Sequence, residues 1–295
     1  MGDVLVQDLS GIWIPLVTPF SGDAVDLPAL RRLVAHLAAG GIAGFVVCGS
    51  TGEAALLSDA EQREVLQAVL DVQTGLPVLM GVAGSAPKPV RDELLRWAEW
   101  PVAGFLVPPP LYVKPPQSGV VDFFATLADA SPKPIVLYDI PSRTGTRIAR
   151  ETSLALAAHP RVIGIKDCGG DFTDTQALID DGRLQVLAGD DANLFATLCA
   201  GGHGAIAASA HVRPDLFVRL CQEVQRGDLP AARVTWRGLS PWIDAAFCEP
   251  NPAPAKAALA LAGLLNDELR APMASVSPPT KAGIADIVTA LQKAG

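Results

Sequence analysis

Eight short apolar runs, separated by stretches with helical periodicity, organise the first 212 residues of this 295-residue chain. Runs of this length are typical of buried strands. Strands that alternate with helices pair in parallel, because each helix returns the chain to the same edge of the sheet. Eight such units can close into a barrel, so we predict an α/β fold, a (β/α)8 TIM barrel. The predicted strands are Ile12–Val17, Gly44–Cys48, Pro77–Val82, Ala103–Val107, Pro134–Tyr138, Val162–Lys166, Leu184–Ala188 and Ala205–Ala208.

The main alternative is an open, doubly wound sheet, which would carry a glycine-rich dinucleotide fingerprint after its first strand. The residues found there, Thr18-Pro19-Phe20, do not match that fingerprint, so the barrel is favoured. After Val212 the pattern is helical only. The predicted organisation is therefore a barrel over 1–212 and a C-terminal helical extension over 213–295 that packs on the barrel.

Composition narrows the classes of function. The net charge is −8 and no run of lysine and arginine occurs, so nucleic acid and anionic membranes are not expected partners. The chain starts without a signal-peptide pattern and has no apolar run long enough for a bilayer, which predicts a cytoplasmic protein. The five cysteines lack CxxC spacing and are interpreted as buried hydrophobic residues in a reducing compartment. The four histidines lack metal-ligand spacing, so we expect neither a metal nor another cofactor.

Lys166 closes the most apolar predicted strand, which begins at Val162. An ammonium there is costly to desolvate, so we expect the pKa of Lys166 to fall from about 10.4 toward roughly 7–8, a change worth about 4 kcal/mol. The neutral amine that results can attack a carbonyl and form a Schiff base. The structural alternative is a lysine that marks where the strand reaches solvent.

Other chemically capable side chains follow the predicted strands at the same end of the barrel, where active sites of this fold lie. Tyr138 ends the fifth strand and is a candidate acid and base. Ser50 and Thr51 lie in a glycine turn that can hold a carboxylate. Arg143 can pair with a second carboxylate. Taken alone, these residues also fit a strand-end aromatic, an ordinary loop and a solvated arginine, but their convergence with Lys166 predicts one site.

Six segments, in this order, resemble the dihydrodipicolinate synthase / N-acetylneuraminate lyase superfamily of pyruvate-dependent class I aldolases, over essentially the whole chain. The loop that carries Arg143 is similar to the synthase branch, in which this arginine binds the carboxylate of aspartate semialdehyde. The lyases of sialic acid usually lack it. The segments are Val17-Thr18-Pro19-Phe20, Gly49-Ser50-Thr51-Gly52-Glu53, Tyr138-Asp139-Ile140-Pro141-Ser142-Arg143-Thr144-Gly145, Gly164-Ile165-Lys166-Asp167, Gly189-Asp190-Asp191-Ala192 and Gly201-Gly202-His203-Gly204.

The resemblance implies a role for each candidate residue. Lys166 would form the Schiff base with pyruvate, and Tyr138 would shuttle protons during imine and enamine formation. Ser50 would relay the proton to Tyr112, which in this family reaches in from a neighbouring subunit, and Thr51 would bind the pyruvate carboxylate. The further substrate-binding residues implied are Gly189 and, through its backbone carbonyl, Ile206.

The resemblance also implies the reaction and the assembly. The enamine would attack aspartate semialdehyde and give 4-hydroxy-tetrahydrodipicolinate, a step of lysine (diaminopimelate) biosynthesis. The expected assembly is a homotetramer or a homodimer, because an imported tyrosine makes the dimer a catalytic requirement.

Departures from the family pattern keep two alternatives open. Asp139 stands where asparagine is usual and adds a charge beside Tyr138, and Leu111 stands where lysine-inhibited members often carry an aromatic residue. One alternative is an aldolase or lyase of the same scaffold that acts on a sugar acid or another hydroxy-keto acid. The other is a non-catalytic module that binds a 2-oxoacid. Turnover of aspartate semialdehyde, compared with that of candidate sugar acids, distinguishes the two enzymes, and absence of any turnover despite pyruvate binding would favour the binding module.

Overall fold

The structure, a computed structural model, describes residues 7–293. Its main strands follow one another in the order β1-β10-β9-β8-β7-β6-β5-β4 as a closed barrel, which confirms the predicted fold class over the open sheet. Each of the eight predicted strands lies within about two residues of an observed one. The strands are β1 Gly11–Pro15, β2 Phe20–Ser21, β3 Ala24–Val25, β4 Gly44–Val47, β5 Val78–Gly81, β6 Gly104–Val107, β7 Ile135–Asp139, β8 Val162–Asp167, β9 Gln185–Ala188 and β10 Gly204–Ile206.

Helices separate the barrel strands, and the described chain after the last strand, up to residue 293, is helical, as predicted. The start of α2 is encoded locally by a capping box: the side chain of Ser58 accepts a hydrogen bond from the backbone N–H of Glu61, and the Glu61 carboxylate accepts one from the backbone N–H of Ser58. The helices are α1 Leu27–Ala38, α2 Asp59–Asp71, α3 Pro87–Ala98, α4 Gln117–Ala130, α5 Pro141–Thr144, α6 Arg150–Leu156, α7 Phe172–Asp181, α8 Leu194–Cys199, α9 Pro214–Gln225, α10 Leu229–Ala246, α11 Ala253–Leu261 and α12 Pro278–Lys293.

The chain divides into two compact units. The first unit comprises residues 77–206 with the described residues 7–10. Within it, β5 to β10 pair in parallel, and the large side chains Trp97, Phe105 and Phe124 are fully buried. The predicted division into a barrel over 1–212 and an extension over 213–295 stays a prediction.

The second unit comprises residues 11–76 with 207–293 of the described chain. Here β1 pairs in parallel with β4, and α9 to α12 pack in the same unit. A buried histidine links two segments of this unit. The ring of His211 donates a hydrogen bond to the carbonyl of Ala208 at 2.8 Å and accepts one from the backbone N–H of Val17 at 3.2 Å. Burial lowers the pKa of His211 to about 4, so the ring is neutral at pH 7.

None of the five cysteines, all of which lie in the described residues, forms a disulfide, and they are not all buried. Cys48 and Cys221 are buried and Cys168 is half-buried, whereas Cys199 and Cys248 are exposed. The prediction of five buried cysteines is therefore wrong for these two. Cys199 ends α8 and Cys248 follows α10, and neighbouring elements do not cover such terminal positions. No helix among residues 7–293 has the length and apolar character needed to cross a membrane.

Substitution of His211 by glutamine should alter how stability depends on pH. Because the folded state lowers the pKa of His211 below the unfolded value of about 6.5, the unfolded chain takes up the proton first, and wild-type stability falls as the pH drops from 6.5 toward 4. Because of His211, the free energy of unfolding of the wild type should fall by about 2 kcal/mol between pH 7 and pH 5. The variant His211→Gln should not show this loss. Urea unfolding at several pH values measures the difference, and parallel pH profiles would contradict it.

Candidate active site

Two neighbouring strands bring a lysine and a tyrosine together in the first unit. The parallel register of β7 and β8 sets Tyr138 opposite Lys166, and residues opposite each other in a sheet project to the same face. The Lys166 Nζ lies 4.3 Å from the centroid of the Tyr138 ring. Lys166 is 5% exposed and Tyr138 is 6% exposed, so the pair is held away from bulk water.

The surroundings of Lys166 correct the expectation that its pKa falls. Burial is the largest single influence and acts to lower the pKa, as expected. The nearby Tyr138 oxygen, which also hydrogen-bonds the amine, acts in the opposite direction together with Asp191 and outweighs burial, so the pKa of Lys166 is raised. The prediction of a lowered pKa is wrong because the strand pattern shows the apolar neighbours but not the oxygens that converge on the amine.

Gly189 and Cys168 enclose the stem of Lys166. A Cβ at Gly189 would lie 2.7 Å from the Lys166 Cγ and 2.5 Å from the Cys168 Sγ, so only glycine leaves room for the lysine side chain. Burial raises the pKa of the Cys168 thiol to about 12, and the group stays protonated at neutral pH. Cys168 therefore shapes the space around the lysine and supplies no thiolate.

Two carboxyl groups follow the lysine and the tyrosine on the same strands. Asp139 and Asp167 are opposite each other in the register of β7 and β8. The Asp139 carboxylate accepts from the backbone N–H of Ile148 at 2.9 Å, and Asp167 accepts from Thr175 at 2.5 Å. Burial, reinforced by the charge of Asp167, raises the pKa of Asp139 to about 7. A titrating carboxyl group therefore adjoins the acid and base candidate.

The other predicted residues of the first unit lie at its surface or in its barrel strands. Arg143 is exposed on the short helix α5, and Gly145 at the end of that helix has a φ of 72°. Tyr112 is 91% exposed and also has a positive φ, 70°, in the proline-rich loop that follows β6. Ile206 ends β10 and is fully buried.

Ser50 and Thr51 lie in the second unit, in the turn between β4 and α2, so they are described by themselves. Thr51 is buried and its hydroxyl accepts a hydrogen bond from the Asn251 side chain at 2.9 Å. Ser50 is half-buried. At Gly52 a Cβ would lie 2.9 Å from the carbonyl oxygen of Leu16, so the turn requires glycine there.

Three residues that act on these groups carry no recognisable motif of their own. Asp191, 1% exposed, influences Lys166, and it was visible only as part of a resembling segment. Glu53 and Lys256 form a buried ion pair behind the Ser50 turn, although 203 residues of sequence separate them, and no local pattern signals that pairing. Within residues 7–293, no group of three or more His, Cys, Asp or Glu side chains is arranged to hold a metal ion.

Comparisons with known proteins extend over both units. The model of the dihydrodipicolinate synthetase family matches residues 8–291. The 4-hydroxy-tetrahydrodipicolinate synthase of Sorangium cellulosum (strain So ce56) is 37% identical over 290 residues, which are 96% of this chain and 96% of that relative.

Solved structures give the same result. The chloride-inhibited dihydrodipicolinate synthase from Acinetobacter baumannii, complexed with pyruvate, has a TM-score of 0.93 and 28% identity, and the match covers 96% of this chain and 99% of that one. A monomeric dihydrodipicolinate synthase variant also has a TM-score of 0.93, with 29% identity and coverage of 96% and 97%.

Replacement of Asp139 by asparagine should stabilise the protein at alkaline pH. The folded state raises the pKa of Asp139 to about 7, so the unfolded chain ionises first, near pH 4, and stability is lost as the pH rises toward 7. Asp139→Asn retains an acceptor for Ile148 and avoids this cost. Its stability advantage should grow by roughly 2–3 kcal/mol from pH 5 to pH 8. Denaturant unfolding at both pH values checks this, and an advantage that does not change with pH contradicts it.

Proposed function

Because the chain belongs to the dihydrodipicolinate synthetase family, we propose that it condenses pyruvate with L-aspartate semialdehyde through a Schiff base on Lys166. The product is 4-hydroxy-tetrahydrodipicolinate, a precursor in lysine biosynthesis. The observation that carries this proposal is the buried pair in which the Lys166 Nζ lies 4.3 Å from the centre of the Tyr138 ring. A primary amine held beside a phenol, away from water, has the groups that imine chemistry needs.

Because the pKa of Lys166 is raised, its side chain is an ammonium when pyruvate arrives. An ammonium cannot attack a carbonyl, so the amine must lose a proton as pyruvate binds. Tyr138 hydrogen-bonds the amine and relays its proton: the phenol oxygen accepts a proton from the nitrogen as its own hydroxyl proton passes to the carbonyl oxygen of pyruvate. The nitrogen then adds to C2 of pyruvate, and a second proton follows the same path to the carbinolamine hydroxyl, which leaves as water. Because the proton passes between adjacent buried groups, imine formation requires no exchange with bulk solvent.

The turn of the second unit is proposed to bind the carboxylate of pyruvate. Thr51 supplies a buried hydroxyl whose orientation Asn251 sets at 2.9 Å, and the adjacent backbone N–H groups complete the cradle. Ser50 relays the proton from Tyr138 to Tyr112 of a neighbouring subunit. The exposure of Tyr112, 91%, suits a side chain that is covered in an assembly.

Arg143 is proposed to bind the carboxylate of aspartate semialdehyde. Its guanidinium is exposed on α5, immediately after the strand that carries Tyr138, and is therefore accessible to a second substrate. A bidentate pair with a carboxylate is a strong, charge-assisted interaction. Gly189 and Ile206 are proposed to line the part of the site that binds pyruvate. Gly189 contributes by leaving space beside Lys166.

The proposed assembly is a homodimer or homotetramer, in which Tyr112 of each subunit enters the active site of its neighbour. The proposed compartment is the cytoplasm, because five cysteines that form no disulfide suit a reducing environment. Small molecules, and neither nucleic acid nor membrane, are its proposed ligands.

Pyruvate with borohydride should label the wild type at a single lysine. Reduction of the imine adds a covalent adduct to Lys166, and Lys166→Ala should abolish it, whereas Lys88→Ala, which removes an exposed lysine of α3, should not change it. Mass spectrometry of the digested protein locates the adduct. Persistent labelling of Lys166→Ala at another residue would assign the chemistry elsewhere.

Removal of the guanidinium at Arg143 should impair use of the second substrate. Loss of one charge-assisted pair should lower kcat/KM for aspartate semialdehyde about 10- to 100-fold, while pyruvate labelling of Lys166 stays unchanged. Arg183→Ala, which removes an exposed arginine paired with Asp181, is the control. A coupled reductase assay measures the rate. Unaltered kinetics with the semialdehyde, together with turnover of a sugar acid, would favour the alternative aldolase.

A further inference from the structure

A lysine and a glutamate form a buried ion pair in the second unit, behind the turn that contains Ser50 and Thr51. Lys256 is fully buried and Glu53 is 4% exposed. The Lys256 Nζ lies 2.5 Å from the Glu53 Oε1, donates to the carbonyl of Glu268 at 2.8 Å and lies 4.3 Å from the centre of the Phe20 ring. Burial of two charges is weak evidence of added stability, because the loss of hydration offsets their attraction.

The second carboxylate oxygen of Glu53 is bound by the same C-terminal segment that carries Lys256. Its Oε2 accepts from the backbone N–H of Arg270 at 3.1 Å. The Arg270 guanidinium donates to the carbonyl of Leu56 at 2.7 Å and to the Glu61 carboxylate at 2.6 Å. Both carboxylate oxygens of Glu53 are therefore fixed, and the backbone on its C-terminal side, at Leu56, is fixed with them.

This arrangement determines the backbone of the turn. Glu53 adopts a left-handed conformation, with a φ of 56°, which a residue with a side chain seldom adopts without help from its surroundings. Its N–H donates to the carbonyl of Ser50 at 3.2 Å. Two further anchors act on the turn: Thr18 donates to the carbonyl of Gly52 at 2.7 Å, and Asn251 donates to Thr51. The ion pair is thus the anchor at the C-terminal end of the turn.

We propose that the Glu53–Lys256 ion pair is a positioning device for substrate binding, which holds Glu53 in its left-handed conformation and thereby sets the Ser50-Thr51 turn to receive the carboxylate of the 2-oxoacid. The inference rests on the proposed function, because it takes that turn as the carboxylate cradle. Glu53 and Lys256 are positioning residues, since neither touches the substrate. The C-terminal segment from Asn251 to Arg270 accordingly determines affinity for the first substrate.

The test is Lys256→Met, which keeps the length of the side chain and removes its charge. The pyruvate concentration that gives half-maximal borohydride labelling of Lys166 should rise at least tenfold, while labelling at saturating pyruvate stays within twofold of the wild type. The matched control is Lys281→Met, which removes a lysine paired with Asp267 at 2.5 Å in the same unit but 45% exposed at its side chain. Its half-saturation should stay within twofold of the wild type.

Glu53→Gln is the second variant and serves if Lys256→Met does not fold. Hydrogen exchange of the backbone over residues 49–56 provides a readout that needs no activity, and exchange there should quicken at least tenfold in either variant but not in Lys281→Met. If a variant loses thermal stability while its half-saturating pyruvate concentration and its hydrogen exchange over residues 49–56 are unchanged, the positioning role is overturned and the ion pair has only a structural role. Absence of pyruvate labelling in the wild type would instead overturn the proposed function.

Discussion

The proximity of a buried ammonium and a phenol is the interaction on which the proposed chemistry of this protein depends. The Lys166 amine lies over the Tyr138 ring, and the oxygen of that tyrosine, with Asp191, outweighs burial and raises the lysine's pKa. A lysine activated by burial alone would be neutral before substrate arrives. In the proposed mechanism this one must instead lose a proton through the Tyr138 oxygen as substrate arrives.

The parallel sheet supplies this geometry without any special loop. A register that sets Tyr138 opposite Lys166 also sets Asp139 opposite Asp167, so one alignment of β7 and β8 fixes all four side chains. Gly189 follows β9, the next strand, and leaves the space that the lysine stem occupies. Because these groups are attached to strands whose backbone is hydrogen-bonded on both sides, their spacing is held more firmly than a loop could hold it.

The parts of the molecule that sequence could predict are those with local signals. The eight barrel strands are apolar runs bounded by glycine, proline and charge, and the capping box at Ser58 marks the start of α2. Features with weaker signals were not predicted: the hairpin strands β2 and β3 have two residues each, and α4 begins at Gln117 without a side-chain cap. Of two adjacent leucines in α3, Leu94 is buried and Leu95 is 39% exposed, and their apolar character alone does not distinguish them.

The strand positions of Lys166 and Tyr138 could be predicted from the sequence, but the electrostatics of the candidate site could not. Lys166 and Tyr138 were identified by their positions at strand ends, but the direction of the lysine's pKa depends on Asp191 and on the distance between side chains, which no sequence pattern encodes. The same holds for Glu53 and Lys256, whose contact spans 203 residues of sequence. Contacts between charged groups that are distant in sequence can be identified only from the structure, whereas the chemical type of each group can be read from the sequence.

The most direct test of the central claim is the rate of imine formation in Tyr138→Phe, measured in a single turnover with pyruvate by rapid quenching with borohydride. The substitution keeps the ring beneath the Lys166 ammonium and removes only the oxygen that exchanges the proton. The account predicts that imine formation slows about 100-fold or more, while the half-saturating pyruvate concentration changes little. An unaltered rate of imine formation would show that the proton leaves Lys166 by another path and would contradict the account.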